Sequence, residues 1–332
     1  MTDSADAAHA APRSTRVPQA GAMHEFENFG LIHTDDVRAA GDDPRELRRL
    51  AARGQAIRVR RGVYCEGAHW DSLSNLERHI LQTRAVVRAA HPPFLVATSS
   101  AAAVWGMPFA AEWPTEVTLL APYRGGGKSE PGVRRTSAGG IDVRRVIRLG
   151  IPVTSLARTA LDVARMLDFP DAVAVFDWCL AEKNPLHIEK AELRAELTNV
   201  TFARGGGALA RAVDFSSDLS GSVGESRCRA VIHRLGFVAP VLQRRFVDSE
   251  GEMFCDFFWE GVGTAGEFDG KVKFTNEDYT SGDPVEALWR EKKREDRLRR
   301  QVAGVVRILH SHVENPRVLA RLLDGTGIPR RR

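Results

Sequence analysis

The sequence predicts an α+β multidomain protein with an N-terminal winged helix-turn-helix, an α/β middle domain and a C-terminal α/β domain. Three observations lead to this prediction. A capped helix, a short turn, a basic helix and a basic hairpin follow one another between residues 31 and 64. A polar linker at residues 215–221 then separates a helix-rich middle from the last third of the chain. That last third switches between helical and strand periodicity in the order helix, three strands, helix, strand.

The predicted boundaries follow the composition of the chain. Residues 1–24 are small and polar with scattered prolines, which is typical of a disordered arm. The winged helix-turn-helix is expected at residues 25–70, the middle domain at 71–215 and the C-terminal domain at 216–332. A length of 332 residues is enough for two or three domains of ordinary size.

The composition is that of an ordinary globular protein, but the basic residues are clustered along the chain. Hydrophobic residues make up 43% and charged residues 27% of the sequence, and the net charge is +4. This excess lies in arginine-rich blocks, so its distribution matters more than its size. The four cysteines have neither zinc-ligand nor redox spacing, which favours a reducing cytoplasm. No apolar run approaches the roughly 18 residues that a membrane span needs, so no membrane partner is expected.

The first ordered segment has the element order of a winged helix-turn-helix. Residues 31–41 predict a short helix that Thr34 caps. A second, basic helix follows at residues 45–53. Residues 56–64 alternate apolar and basic side chains and turn at Arg61-Gly62, as a hairpin does.

In this arrangement the second helix enters the major groove of DNA, and the wing contacts phosphate or the minor groove. The alternative is a small helical domain with a solvated arginine face. A basic wing that directly follows a basic helix favours DNA binding, so DNA is the expected partner. The arginines predicted to contact DNA are Arg45, Arg48, Arg49 and Arg53 in the helix and Arg58, Arg60 and Arg61 in the wing.

The run from Leu31 to Tyr64 carries a further pattern, in which the second helix ends in Arg53-Gly54 and the strand ends in Arg-Arg-Gly-Val-Tyr. On these residues, the segment 26–65 resembles the N-terminal winged-helix domain of AbiEi-family antitoxins of type IV toxin–antitoxin systems. The resemblance implies DNA binding, often autoregulatory, and places a cognate toxin protein among the candidate partners. The middle segment, including residues 98–108, is similar to the second part of AbiEi-like proteins, which implies architecture and no chemistry.

Two features of the middle segment are not predicted to be functional sites. Gly127-Lys128-Ser129 resembles the end of a phosphate-binding loop, but Pro122 stands where the first glycine belongs and Pro131-Gly132 prevents the helix that must follow. A flexible hairpin tip is expected there instead. Asp162 and Asp177 lie on predicted helices beside arginines, so both are expected to form salt bridges.

The strongest chemical signal lies in the C-terminal third. Charged and apolar residues alternate over residues 266–274, so a strand there presents two acids and two lysines on one face. Asp256 lies among aromatic and apolar residues, and a buried acid is costly unless a cation neutralises it. Acids that converge from two strands beside lysines predict a divalent-metal site that cleaves phosphodiesters. The predicted catalytic residues are Glu225, Asp256, Glu267, Asp269, Lys271 and Lys273, with Asp256 and Glu267 as ligands of Mg²⁺ or Mn²⁺.

Some of these charged residues have a second, structural interpretation. Glu225 lies three residues after Ser222 and completes a capping box at the start of its helix. Arg297 and Arg300 on the last long helix are predicted to hold the DNA backbone. The alternative for the arginines of this helix, Arg290, Arg294, Arg297 and Arg300, is i to i+4 pairing with Glu286, Glu291 and Asp296 on a solvated helix.

The motifs of the C-terminal third resemble the PD-(D/E)XK nuclease superfamily and, more narrowly, relatives of very-short-patch-repair endonucleases. The residues that carry the resemblance are Ser222 with Glu225, Gln243, Asp256-Phe257, Glu267-Phe268-Asp269-Gly270, and Asp296 with Arg300. The resemblance covers residues 220–312 and implies a restriction-endonuclease-like fold with metal-assisted hydrolysis of DNA. Asp269 stands where the superfamily has lysine, and Lys273 stands where the relatives have histidine. Lys271 or Lys273 must then offset the charge that builds on the phosphate.

Two functions follow as hypotheses. The first is a DNA-binding protein with a magnesium-dependent endonuclease domain, linked to toxin–antitoxin function or phage defence. The second is an antitoxin-like transcriptional regulator whose nuclease-like domain is catalytically inactive. Convergence of Glu225, Asp256 and Glu267 on one point, with a lysine beside them, would favour the first hypothesis.

Overall fold

A computed structural model of the chain describes residues 30–90, 93–109, 112–121, 129–138, 143–200, 205–270 and 284–331. The predicted arm at residues 1–24, Lys271 and Lys273, and the glycine–lysine pair of the loop near residue 128 lie outside these ranges. The chain divides after Ser74 into two compact units, residues 1–74 and 75–332. In the described ranges, every helix is too short or too polar to cross a membrane.

The first unit is a winged helix built on a small antiparallel sheet. Its elements are β1 (Leu31–His33), α1 (Thr34–Ala39), α2 (Arg45–Ala52), β2 (Ala56–Arg60), β3 (Val63–Glu66) and α3 (Gly67–Ser72). The strand order is β1-β3-β2, and a two-residue turn joins β2 to β3. The prediction of two helices followed by a hairpin wing is confirmed.

The start of the first predicted helix was wrong. Residues 31–33 form strand β1, which pairs with β3 so that Leu31 lies opposite Cys65. Leu31 and His33 are buried and the residue between them is half-buried, which is the period of a strand. Helix α1 begins at Thr34, whose backbone N–H donates to the Gly62 carbonyl at 2.9 Å.

The middle part of the second unit is a mixed sheet covered by helices. Its elements are α4 (Asn75–Ala89), β4 (Leu95–Val96), α5 (Thr98–Trp105), β5 (Val117–Ala121), β6 (Val133–Ser137), β7 (Arg145–Arg148), β8 (Ile151–Thr154), α6 (Leu156–Ala164), α7 (Phe169–Leu180), α8 (Lys190–Asn199) and α9 (Gly206–Phe215). The strand order is β6-β5-β4-β8-β7, with β4/β8 and β5/β6 parallel and the other pairs antiparallel. A core of buried aliphatic and aromatic side chains, including Leu119, Val153 and Phe176, joins this sheet to its helices.

The C-terminal part of the second unit has the predicted element order. Its elements are α10 (Val223–Arg234), β9 (Val241–Asp248), β10 (Gly251–Trp259), a 3₁₀ turn (Glu260–Val262), β11 (Thr264–Asp269), α11 (Pro284–Arg299), β12 (Gly304–Leu309), α12 (His310–Glu314) and α13 (Pro316–Asp324). The strand order is β12-β11-β10-β9, with β11/β12 parallel and the other two pairs antiparallel.

Each face of this C-terminal sheet has its own apolar cluster. Phe257, Phe268 and Val306 pack with α10, α12 and α13, whereas Ala265 and Val305 pack with Leu298 of α11 and its neighbours. Val305 and Val306 are consecutive and belong to different clusters, as alternation along a strand requires. The sheet is therefore a layer between helices.

Two buried ion pairs lie on helices of the second unit, and one of them connects two helices. Arg158 Nε donates to Asp162 Oδ2 at 2.9 Å within α6. Arg229 of α10 donates to both carboxylate oxygens of Asp177 in α7, at 3.0 and 2.8 Å. The prediction that Asp162 and Asp177 form salt bridges is confirmed, and the second pair joins α7 to α10 across the linker.

Candidate functional site

Helix α2 presents arginines to solvent because its apolar residues are spaced to face inward. Leu47 is buried, and Leu50, three residues further along the helix, lies on the same side and is half-buried. Arg45, Arg48, Arg49 and Arg53 are all exposed. Arg49 forms an ion pair with Glu46 at 2.9 Å, one turn away on the same helix. The helix therefore offers a largely unneutralised basic surface.

The wing adds further positive charge on a tightly turned hairpin. Gly62 has φ +77°, a conformation that glycine adopts readily and other residues avoid. Arg58 and Arg61 are exposed, and Arg60 is half-buried. Among the residues that the structure describes, neither Arg58 nor Arg61 has a carboxylate within ion-pair distance, and the same holds for Arg45, Arg48 and Arg53. These side chains are available to an anionic partner.

A second group of polar side chains joins α10 to strands β9 and β10. The Gln243 side-chain amide donates to Glu225 Oε2 at 3.0 Å and to Asp256 Oδ1 at 3.3 Å. Asp256 Oδ2 accepts from the backbone N–H of Phe268 at 2.8 Å. We call Glu225, Gln243 and Asp256 the acidic cluster.

Ser222 caps the helix as predicted, but the Glu225 carboxylate accepts from the Gly221 N–H rather than from the Ser222 N–H of the predicted capping box. Ser222 Oγ accepts from the Glu225 backbone N–H at 3.2 Å, and the Glu225 carboxylate accepts from the Gly221 N–H and the Ser222 hydroxyl. Burial raises the pKa of Glu225, and the nearby Asp256 charge raises it further, whereas these hydrogen bonds lower it. The half-buried carboxylates of Glu225 and Asp256 therefore repel each other. The Gln243 amide, which donates to both, offsets only part of this repulsion.

The backbone at the acidic cluster is irregular. Gln243 has φ +48°, which is strained for a residue with a side chain. Cys255 packs in the cluster that contains Leu298, whereas Phe257 packs with Ile232 on the other face of the sheet. Residues two apart share a face in a regular strand, so β10 changes face at Asp256.

The other predicted acids are held by arginines. Glu267 is only 6% exposed and accepts from both terminal nitrogens of Arg294 in α11, at 3.2 and 3.3 Å. Asp269 accepts from Arg307 at 2.9 Å, and Arg307 also pairs with Glu295. Within the described ranges, no three His, Cys, Asp or Glu side chains come together closely enough to hold a metal ion.

Arg297 and Arg300 contact the β9–β10 turn. Arg297 Nε donates to Asp248 Oδ2 at 2.8 Å, its Nη2 donates to the other oxygen of Asp248, and the Arg297 side chain is mostly buried. Arg300 is exposed and lies 3.9 Å from Glu250. Pairing to this turn, rather than along the helix, is the observed structural role of both arginines.

Arg307 is a partner of the acids that was not predicted from the sequence. Its signal was present, because a charged residue stands in the middle of the apolar strand β12. In the parallel register Arg307 lies opposite Glu267, and its side chain reaches Asp269. A charge on a buried strand generally has a partner on the neighbouring strand or the covering helix.

The fold and the exposed arginines together define the first unit as a winged helix with a basic recognition helix and a basic wing. Residues 23–67 match the family model described as a transcriptional regulator, AbiEi antitoxin, so the predicted resemblance of this segment is confirmed. Among solved structures, the chain is similar to the crystal structure of the RV2827C protein from Mycobacterium tuberculosis. That likeness has 14% identity and a TM-score of 0.36, and it covers 69% of this chain and 87% of that one. The comparison with curated proteins finds no match.

Proposed function

We propose that the protein is a DNA-binding transcriptional regulator of the antitoxin type, in which the winged helix contacts duplex DNA. The observation that carries the proposal is the exposed arginine surface of α2 and the wing, on a segment that matches the AbiEi antitoxin model. Arginine suits this task because its planar guanidinium binds phosphate or the edge of guanine through two hydrogen bonds. In this geometry α2 enters the major groove and the wing tip at Arg61 follows the backbone.

Replacing Arg48 by Ala is expected to weaken binding to the DNA upstream of the protein's own gene by roughly 5- to 100-fold if the guanidinium contacts a base. Arg49→Ala is expected to act in the same direction but less strongly, because Glu46 already neutralises part of its charge. Fluorescence anisotropy with a labelled duplex measures both. Arg38→Ala is the matched control, since Arg38 is exposed in α1 and paired with Asp35. Equal affinities for Arg48→Ala and Arg38→Ala would contradict the assignment of α2.

The same family match supports a second proposal on partners. Because the matching model describes antitoxins, a cognate toxin protein is proposed as a partner in the cytoplasm, in addition to DNA. The winged-helix arginines are proposed to contact DNA alone, so their variants are expected to weaken operator binding and to leave toxin binding intact.

A second candidate function is metal-dependent hydrolysis of phosphodiesters by residues 216–332 with a restriction-endonuclease-like fold. Two observations favour it. The elements α10, β9, β10, β11, α11 and β12 occur in the order of the PD-(D/E)XK core. Glu225, Gln243 and Asp256, which carry the sequence resemblance, are joined by hydrogen bonds around a strained backbone.

The described side chains, as they are arranged, do not form a site for Mg²⁺ or Mn²⁺. The Gln243 amide lies between the Glu225 and Asp256 oxygens, and Arg294 neutralises Glu267. A divalent ion needs several oxygen ligands directed at one point. This geometry therefore supports no hydrolytic step, and binding of Mg²⁺ or Mn²⁺ by Asp256 and Glu267 remains a proposal.

Incubating supercoiled plasmid with the full-length protein and Mg²⁺ or Mn²⁺ tests this second function. If it is correct, wild type nicks the plasmid, and Asp256→Ala and Glu267→Ala lower the rate by roughly 100-fold or more, because losing metal-borne charge stabilisation costs several kcal/mol. Glu250→Ala is the control, since Glu250 is exposed on the β9–β10 turn. Intact plasmid with wild type, or nicking that persists in both variants, would reject the hydrolytic function. The proposal of a DNA-binding transcriptional regulator would then stand alone.

A further inference from the structure

The proposed function does not use a basic hairpin at the edge of the middle sheet. Strands β7 and β8 form this hairpin, and β7 is an outer strand of its sheet. The arginine hairpin, as we call residues 143–154, contains Arg144, Arg145 and Arg148 and no acidic residue. Ile147 is 56% exposed and Leu149 is 43% exposed, so apolar side chains stand among the arginines.

The turn of the arginine hairpin is strained by its sequence. Leu149 has φ +50° and Gly150 has φ +74°, which are the angles of a two-residue hairpin turn with both central residues left-handed. Asn, Asp or Gly normally occupies the first of these positions, because a larger side chain is disfavoured there. Leucine is thus unfavourable at position 149 for two reasons: its backbone has a positive φ, and its apolar side chain is exposed to water. A residue with neither a conformational nor a burial reason for its position is a candidate for a binding role.

Arg84 of α4 holds the tip of the hairpin in place. Its Nη2 donates to the Leu149 carbonyl at 2.8 Å. Burial lowers the pKa of Arg84 to about 10, so the guanidinium still carries its charge near neutral pH. A charge-assisted hydrogen bond from the half-buried Arg84 side chain holds the turn at its exposed tip. The exposed tip is consequently preorganised for contact.

The charge of the arginine hairpin is not neutralised locally. Arg144 and Arg145 are exposed, and in the parts of the chain that the structure describes no carboxylate lies within ion-pair distance of either. Unpaired arginines suit the phosphates of nucleic acid, and an exposed apolar side chain beside them suits insertion between base steps.

We propose that the arginine hairpin is a second DNA contact, separate from the winged helix, in which Arg144 and Arg145 bind phosphates and Leu149 enters the minor groove as an apolar wedge. Apolar wedges of this kind insert between base steps from the minor groove, and arginines follow the adjacent backbone. The inference rests on the proposed function, that the chain binds duplex DNA, and extends the contact to the middle of the chain.

The first test compares full-length wild type with the double variant Arg144→Gln/Arg145→Gln by fluorescence anisotropy over a range of salt concentrations. Losing two phosphate contacts is expected to weaken binding to a random duplex by roughly tenfold and to reduce the slope of log K against log salt by about 1.8. The control is Arg317→Gln/Arg321→Gln, which removes the same charge from exposed arginines of α13. Equal affinities and slopes for the two double variants would overturn the inference.

The second test concerns the apolar tip. Leu149→Asn is expected to raise the midpoint of thermal unfolding, because Asn accepts a positive φ, and to weaken DNA binding at the same time. A merely structural role for Leu149 predicts higher stability with unchanged DNA binding. That result would overturn the proposal that Leu149 enters the minor groove.

Two further outcomes separate this inference from its alternatives. If Arg48→Ala/Arg49→Ala leaves DNA binding unchanged while the hairpin variants weaken it, the winged-helix proposal fails and the hairpin contact stands. If the hairpin variants change the sedimentation of the free protein and leave DNA binding intact, the exposed edge strand pairs with another chain, and the DNA contact is rejected.

Discussion

Replacing Asp177 by Ala is expected to lower the free energy of unfolding by about 3–5 kcal/mol, because it leaves the Arg229 guanidinium buried without its counter-ion. Asp177 is 1% exposed and also accepts from the Ser217 N–H at 2.7 Å and the Ser220 hydroxyl at 3.0 Å. Removing the carboxylate therefore leaves several buried donors without acceptors.

Urea unfolding measures this effect, and Asp214→Ala provides the comparison. Asp214 pairs with Arg194 at 2.9 Å, but both side chains are more than half exposed, so its loss should cost less than about 1 kcal/mol. Replacing Asp177 and Arg229 together by Leu should cost less than the sum of the two single changes, because no unpaired charge remains. A loss in Asp177→Ala no larger than in Asp214→Ala would mean that water solvates the pair.

Replacing Phe268 by Ala is expected to cost about 3–5 kcal/mol of unfolding free energy, since it removes a buried aromatic ring from the C-terminal core. Phe268 is 4% exposed and packs in the cluster that contains Phe257, Ile232 and Val306. Phe254→Ala is a matched control, because the Phe254 side chain is 46% exposed on the same sheet and should lose less than about 1 kcal/mol.

Gly224 shows how tightly this ring is enclosed. A Cβ placed on Gly224 would lie 2.2 Å from Cε1 of Phe268, so Gly224→Ala alone should cost about 1–3 kcal/mol through overpacking. In the double variant the new methyl group occupies space that the ring has left. The combined loss measured by urea unfolding should then be smaller than the sum of the single losses, and strict additivity would show that the two sites do not touch.

Much of the fold could be predicted because its signals are local. The periodicities of α2, α10 and β11 are set by residues two to four positions apart, and Ser222 caps α10 as its spacing indicated. Strand β1 was missed because its three residues form a strand only by pairing with β3, about thirty residues later in the chain. Short elements of this kind have too little local preference to be recognised alone.

The acidic residues show where prediction from sequence stopped. Alternation indicated that Glu267 and Phe268 face opposite sides of the sheet, and the contacts with Arg294 and with the α10 cluster agree. Alternation could not indicate that β10 changes face at Asp256, where the Gln243 side chain of the neighbouring strand contacts it from a backbone with positive φ. Nor could it choose between a metal ion and arginine as the partner of a buried acid.

By itself, the sequence determined the order of elements, the arginine-rich surface of the winged helix and the match to AbiEi antitoxins. The tertiary structure alone decided which charges neutralise each other: Asp177 with Arg229, Glu267 with Arg294, and Asp269 with Arg307. The physical reason lies in distance along the chain. Helical and strand patterns arise between near neighbours, whereas the energy of a buried charge depends on whichever partner packing brings within a few ångströms.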